Sequence, residues 1–182
     1  MKKLLLLRND DVLMLTTTTK YQVAAQKKKS FFEWFVESDK IFEEYNCPSV
    51  LAVLAEGIDV YPEWVQYIKE RQHRFRIELH GYTHLWYHRL SAEDGYRTLK
   101  YAKDKIEDTF GVHVSTWYIP FCGKSWNVSW RREVCERLGV KFDVLADTNT
   151  VYQHRYHYWN PLEVEKVGQM VKHQLNNIVS YA

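Results

Sequence analysis

The sequence predicts an α/β protein built on a largely parallel sheet or a barrel. Short apolar runs of strand length alternate along the chain with longer segments of helical period. Charged and imidazole side chains follow directly on two of those runs, at the carboxyl ends of strands where ligands gather in folds of this class. With 182 residues, 46% of them apolar or aromatic, the chain is sized for a single domain over residues 1–182 whose core needs no staples.

The elements can be taken in order. "MKKLLLLRNDDV" opens with Leu4 to Leu7 between Lys3 and Arg8, shorter than the roughly 7 to 15 apolar residues at the centre of an export signal. It reads as a first strand that ends on Asp10 and Asp11. "TTTTKYQVAAQKKK" has no period and reads as a long loop with a solvated basic run. "SFFEWFVESDKIFEEY" sets Phe31, Trp34, Phe35, Ile41, Phe42 and Tyr45 at helical spacing, and Ser30 with Glu33 makes a capping box at its start. "SVLAVLAEG" is a buried strand, "YPEWVQYIKERQ" a helix that tolerates Pro62 in its first turn, and "FRIELHG" the next strand. A helix follows from Ser91 to near Gly111, then the strand "VSTWYIPF", the helix "SWRREVCERLG" and the strand "VKFDVLAD". "TVYQHRYHYW" is expected as a last strand and "PLEVEKVGQMVKHQLNNIV" as a closing amphipathic helix.

Composition narrows the function. A formal charge of +2, from 25 basic and 23 acidic residues spread along the chain, lacks the concentrated basic face that nucleic-acid or membrane-surface binding requires. Cys47, Cys122 and Cys135 are odd in number, widely spaced and without a CxxC pair, so neither a disulfide framework nor a zinc knuckle is expected. No stretch approaches the roughly 20 apolar residues of a membrane-spanning helix. A soluble, cytoplasmic protein is the expectation.

Two carboxylates side by side repel unless something positive offsets them. "ELHGYTH" supplies a route to that charge: His80 stands at the strand end and His84 four residues on, so a helical turn after Gly81 would aim both imidazoles into one site. Imidazole and carboxylate are the usual ligands of zinc and similar ions, and a catalytic site needs three protein ligands with one position left open. One Asp with His80 and His84 makes three, and a bound cation would favour both carboxylates in ionised form. Trp117, Tyr118, Phe121, Trp126 and Trp130 suit either core packing or stacking on sugar rings; Trp126, in the loop after its strand, is the candidate sugar contact. Tyr82, Trp86 and Tyr87 flank the histidines as support for the ligands or as substrate contacts, and His88 reads as a surface residue.

"LLLRNDDV", "HGYTH" and "TWYIPF", in that order and over Leu4 to about Trp159, resemble the polysaccharide deacetylase superfamily, the NodB-like carbohydrate esterases, in the branch whose first motif reads R-x-D-D. The resemblance implies a distorted, incomplete (β/α) barrel in a compact version, and metal-assisted hydrolysis of an N-acetyl group on an amino-sugar or oligosaccharide substrate. It implies Asp10 as general base, Asp11, His80 and His84 as ligands of zinc or a similar divalent ion, and the backbone N–H groups of Phe121 and Cys122 as oxyanion donors. His157 would protonate the leaving amine. The third motif of the family reads R-x-P-F/Y, but here Tyr118 takes the arginine position, so the cation that orients the base has to come from Arg8 or Arg155. Asp143 or Asp147 is the counterpart of the fourth-motif carboxylate. Two alternatives stand beside the deacetylase: a carbohydrate-binding pseudoenzyme that keeps the metal site, and a metal hydrolase of another bond such as a phosphoester.

Overall fold

A computed structural model describes residues 4–15, 30–121, 128–142 and 151–156, together with Lys166 and Gln169, both helical. The elements are β1 (Leu4–Val12), α1 (Phe31–Glu44), β2 (Ser49–Leu54), α2 (Pro62–Glu70), β3 (Phe75–Gly81), α3 (Ala92–Phe110), β4 (Thr116–Trp117), α4 (Arg131–Leu138), β5 (Lys141–Phe142) and β6 (Val151–Tyr156). The strands lie in the order β5-β4-β3-β2-β1-β6. The fold is α/β, as the alternation predicted, and the pairs β1/β6, β3/β4 and β4/β5 are parallel. No helix among the described residues is long and apolar enough to cross a membrane.

The described residues group into two compact units. One holds β1 as far as Asp10, α1, the first two residues of β2, and β6. Its β1 runs alongside β6 in a register from Leu4 opposite Val151 to Asn9 opposite Tyr156. The predicted capping box at the head of α1 is present: the Glu33 N–H donates to Ser30 Oγ at 3.2 Å and the Ser30 N–H to Glu33 Oε2 at 2.6 Å. Reciprocal bonds of this kind satisfy two N–H groups that the helix leaves orphaned. Phe31, Phe35 and Phe42 then line the buried stripe of α1.

The other unit holds Asp11–Leu15 and the chain from Leu51 onward through β5. All six residues of β2 are buried, the continuous apolar run expected of a parallel strand covered on both faces. Pro62 starts α2, which buries Trp64, Val65 and Ile68. Ser91 caps α3 by accepting from the Asp94 N–H at 3.1 Å, and Leu99, Ala102, Ile106 and Phe110 form its buried face. Gly111 ends α3 and Gly139 ends α4, each in the left-handed conformation that glycine adopts without a side-chain clash.

One strand differs from expectation. "VSTWYIPF" reads as a strand through Phe121, but β4 covers only Thr116 and Trp117. The ladder continues one residue further, with the Tyr118 N–H donating to the Leu79 carbonyl at 2.8 Å. Pro120 then has no N–H to offer, and Phe121 turns into the left-handed region at φ 54°. The later part of "VKFDVLAD" and most of the closing helix lie outside the described residues.

Candidate metal centre

The two carboxylates at the end of β1 have different partners. Side chains two apart on a strand share a face, and Arg8 turns its guanidinium on Asp10: Nε donates to Oδ1 at 2.7 Å and Nη2 to Oδ2 at 2.9 Å. Both side chains are buried, so this is a charge-assisted fork of the strong, direction-fixing kind. Arg8, one of the two replacements expected for the missing third-motif arginine, thus pairs with Asp10, and the backbone of Arg155 takes the register position opposite Arg8 on β6. Asp11 faces elsewhere because the backbone changes hand. Asp11 and Leu13 both have φ 63°, and the Met14 N–H closes a turn on the Asp11 carbonyl at 3.1 Å. Gly57 permits this turn, since a methyl group there would overlap the Leu13 carbonyl oxygen.

Asp11 meets the two histidines. Its Oδ1 lies 3.1 Å from Nε2 of His80 and 3.1 Å from Nε2 of His84. One ligand atom from each of the three residues falls within 4.8 Å of the others. The helical turn expected after Gly81 does not form. Gly81 instead takes φ 149°, which L side chains rarely adopt, and a bend over Tyr82 to His84 brings the second imidazole back, with a single 3-10 turn only at Tyr87–Arg89.

His80 is held from behind. Its Nδ1 lies 2.6 Å from the Tyr118 carbonyl oxygen, and since a carbonyl only accepts, Nδ1 carries the proton. That carbonyl is positioned in turn by Glu78, a buried carboxylate two residues before His80 that accepts from the Ser115 N–H at 2.8 Å, the Thr116 N–H at 2.8 Å, Ser115 Oγ at 2.9 Å and Arg76 Nε at 2.6 Å. Glu78 thus anchors the start of β4 to β3. Neither Glu78 nor the Tyr118 carbonyl belongs to the set read from sequence. A carboxylate inside the apolar strand "FRIELHG" was the signal for the first, whereas a backbone carbonyl leaves none.

This arrangement fits a cation. Since Nδ1 of His80 donates to the Tyr118 carbonyl, Nε2 is the atom turned to the Asp11 carboxylate oxygen 3.1 Å away, and a cation among that oxygen and the two imidazoles would have all three as ligands. His84 Nδ1 is buried and has no hydrogen-bond partner among the described residues, so Nε2 is its contribution to the group. Burial alone would raise the Asp11 carboxyl, but hydrogen bonds and charge from His80 and His84 outweigh it and hold it well below the usual carboxylate range. The carboxylate is therefore kept ionised, as a ligand must be.

The remaining predicted residues divide. The Phe121 ring stands edge-on to His84, with centroids 4.1 Å apart, and its N–H has no hydrogen-bond partner among the described residues. Trp117 is fully buried and stacks on Trp130, and Tyr118 is buried as well, so these aromatics belong to the core. His88 is exposed, as expected. Cys122, Trp126, Asp143, Asp147 and His157 lie outside the described residues.

Solved structures share this fold at low identity. Peptidoglycan deacetylase PdaC from Bacillus subtilis is 14% identical, with a TM-score of 0.67 over 97% of this chain and 85% of that one. A family 4 carbohydrate esterase from Streptomyces lividans, solved with acetate, is 10% identical with a TM-score of 0.70 over 96% and 88%. A CE4 family pseudoenzyme from Bacillus anthracis is 11% identical with a TM-score of 0.67 over 97% of this chain and 62% of its own. No curated protein matches the sequence. The sequence pattern of the family described as Polysaccharide deacetylase matches residues 32–142, more than half of the chain and the part that carries both histidines and the strand pair behind them. By that match the chain belongs to the polysaccharide deacetylase family.

Proposed function

We propose that this protein is a metal-dependent hydrolase that removes N-acetyl groups from an amino-sugar substrate. The observation that carries the proposal is the convergence of Asp11 Oδ1 with Nε2 of His80 and Nε2 of His84, each 3.1 Å from it, in a group whose ligand atoms lie within 4.8 Å of one another. Asp11, His80 and His84 would hold the ion, and zinc suits a set of one carboxylate and two imidazoles. When bound, such an ion supplies Lewis acidity toward the acetyl carbonyl and lowers the pKa of water.

The chain's own groups do the rest. Asp10, held by the Arg8 fork, accepts a proton from the water that attacks the acetyl carbon. The Phe121 N–H is the candidate donor to the oxygen that becomes negative, a contribution of about 3 kcal/mol per donor where such donors have been removed. The C–N bond then breaks, the nitrogen takes a proton to leave as an amine, and acetate is released. His157 is the candidate donor of that proton.

A second reading rests on Tyr118, which fills the third-motif arginine position with a buried tyrosine: a pseudoenzyme that binds carbohydrate and metal without turnover. One experiment separates the two. Metal is measured by mass spectrometry on wild type and His80→Ala, and acetate release from N-acetylglucosamine oligomers on wild type and Asp10→Asn. The deacetylase reading expects about one metal per chain, lost in His80→Ala, with acetate released by wild type and not by Asp10→Asn. Metal without acetate selects the pseudoenzyme, or a hydrolase of another bond if phosphoester cleavage is found in its place. Absence of metal after zinc is supplied overturns all three.

A further inference from the structure

β3 carries a carboxylate between two apolar neighbours, and Glu78 is as deeply buried as Ile77 and Leu79, at 1% exposure. A carboxylate taken out of water is costly unless its oxygens are satisfied. Here each oxygen accepts twice: Oε2 from the Ser115 and Thr116 N–H groups, Oε1 from Arg76 Nε and Ser115 Oγ. Arg76, itself exposed, closes the loop by donating from Nη2 to Ser115 Oγ at 2.8 Å. A long β4 would not need such a clasp. But β4 has two residues, Leu79 opposite Trp117 is the register pair that joins it to β3, and β5 on its other side is equally short. Pairing over so few residues holds a strand weakly, so the carboxylate adds the attachment that further ladder pairs would give. Three residues beyond Ser115 stands the Tyr118 carbonyl, which accepts from His80 Nδ1 at 2.6 Å. Glu78 and His80 lie two apart on one face of β3, so the path starts and ends on the same strand.

We infer that Glu78 is a positioning residue of the metal centre: by fixing β4 it fixes the Tyr118 carbonyl, and through that carbonyl the Nδ1 proton and the ring orientation of His80. The inference rests on the metal-binding reading above. A ligand imidazole whose other nitrogen is hydrogen-bonded keeps one tautomer and one orientation, and partners of this kind contribute about 10–100-fold to metal affinity. A ring left unheld would have to be ordered when the ion arrives, at a cost in side-chain freedom. His84 gives the contrast within the same group. Its Nδ1 is buried without a hydrogen-bond partner among the described residues, so no hydrogen bond from that nitrogen orients it. His80 is then the fixed imidazole of the pair, and Glu78 acts on metal binding without touching the metal. A purely structural Glu78 would stabilise the sheet and leave ion affinity alone.

The test uses the full chain. Zinc affinity is measured by competition with a chelator for wild type, Glu78→Gln, Glu78→Ala and Ile106→Val, and Tm is taken for each metal-free form. Ile106→Val is the control, since it lowers Tm by thinning the buried face of α3 and leaves the Glu78 clasp intact. Glu78→Gln keeps the shape and one oxygen for the two backbone N–H groups, but turns an NH2 group toward Arg76 and Ser115. Zinc affinity is expected to fall about tenfold in Glu78→Gln, further in Glu78→Ala, and not in Ile106→Val. The absorption of the cobalt(II) form should shift in Glu78→Gln and not in the control, because the ligand geometry loosens. Should Glu78→Ala fail to fold, Glu78→Gln decides alone. Affinity in Glu78→Gln equal to wild type, or reduced no more than in Ile106→Val, overturns the inference. If wild type takes up no zinc, the metal reading fails by itself, and NMR of the imidazole nitrogens in the metal-free chain decides Glu78 separately: a His80 Nδ1 proton that exchanges with solvent faster in Glu78→Gln, with His84 unchanged, sustains it, and equal exchange overturns it.

Discussion

Asp10 and Asp11 are neighbours with opposite tasks, and the split is made by strand geometry. Arg8 reaches Asp10 because they lie two apart on one face, and the left-handed turn at Asp11 delivers the next carboxylate to the histidines. Removing one partner of a buried ion pair leaves the other charged and unsolvated. Arg8→Ala is therefore expected to lose about 3–5 kcal/mol of folding stability in urea denaturation. Arg8→Lys keeps the charge but not the fork, so it should recover most of that stability while turnover of acetylated oligosaccharide falls with KM little changed. Equal turnover in the Arg8→Lys variant and the wild-type protein would remove Arg8 from any positioning role. The sequence showed two adjacent carboxylates in need of positive charge, with a single cation expected to serve both. In the structure a guanidinium stands against Asp10 and the imidazole pair against Asp11, a division implicit in the two-residue period of a strand. The Tyr118 carbonyl behind His80 was illegible for a simpler reason: every residue has one.

At the scale of elements, the ends matter most. α3 closes with Gly111 and is tied to the chain beyond it by Glu107, which accepts from Lys103 Nζ at 2.7 Å and the Val114 N–H at 2.9 Å and lies 3.2 Å from His113 Nδ1. Burial acts to raise this carboxyl, but Lys103, the Val114 N–H and His113 together hold it below its ordinary 4.5. A folded-state pKa below the unfolded one contributes stability above the ordinary glutamate range, lost as pH falls through the folded value. Thermal denaturation from neutral pH down to about pH 3 should show a smaller acid loss of Tm in Glu107→Gln than in wild type. An identical acid profile would mean that Glu107 is equally solvated in both states. Helix ends of this kind were legible, because capping residues act locally: Ser30 with Glu33, Pro62, Ser91 and Gly111 all stand where expected. The bend after Gly81 and the short β4 were not, since they depend on which strand each backbone group pairs with, and pairing is settled by partners far away in the chain.

For the molecule as a whole, a ligand that binds only the folded chain adds to its stability by mass action. Zinc at 100 times its dissociation constant should contribute about 2.7 kcal/mol, read as a rise in Tm that a chelator reverses and that His80→Ala does not show. A wild-type Tm indifferent to both zinc and chelator would argue against a preformed site. The α/β class was legible across the whole chain because alternation of strand and helix is a global pattern, and the three motifs fall at strand ends. The pairing of β1 with β6 was not, because no local feature of Leu4 to Asn9 points to Val151 to Tyr156.

That pairing also has a consequence for the order of assembly. A ribosome delivers β1 before the other described strands and β6 after them, so one flank of β1 waits for its neighbour while the strands between are made. Everything from Leu51 to Phe142 emerges in between and is rich in neighbours close in sequence, such as β3 with β4 and β4 with β5. Closing the longest loop last is the slow course for a parallel sheet. The strand that carries Arg8 and Asp10 is then completed after β3, which carries His80, has paired with β4.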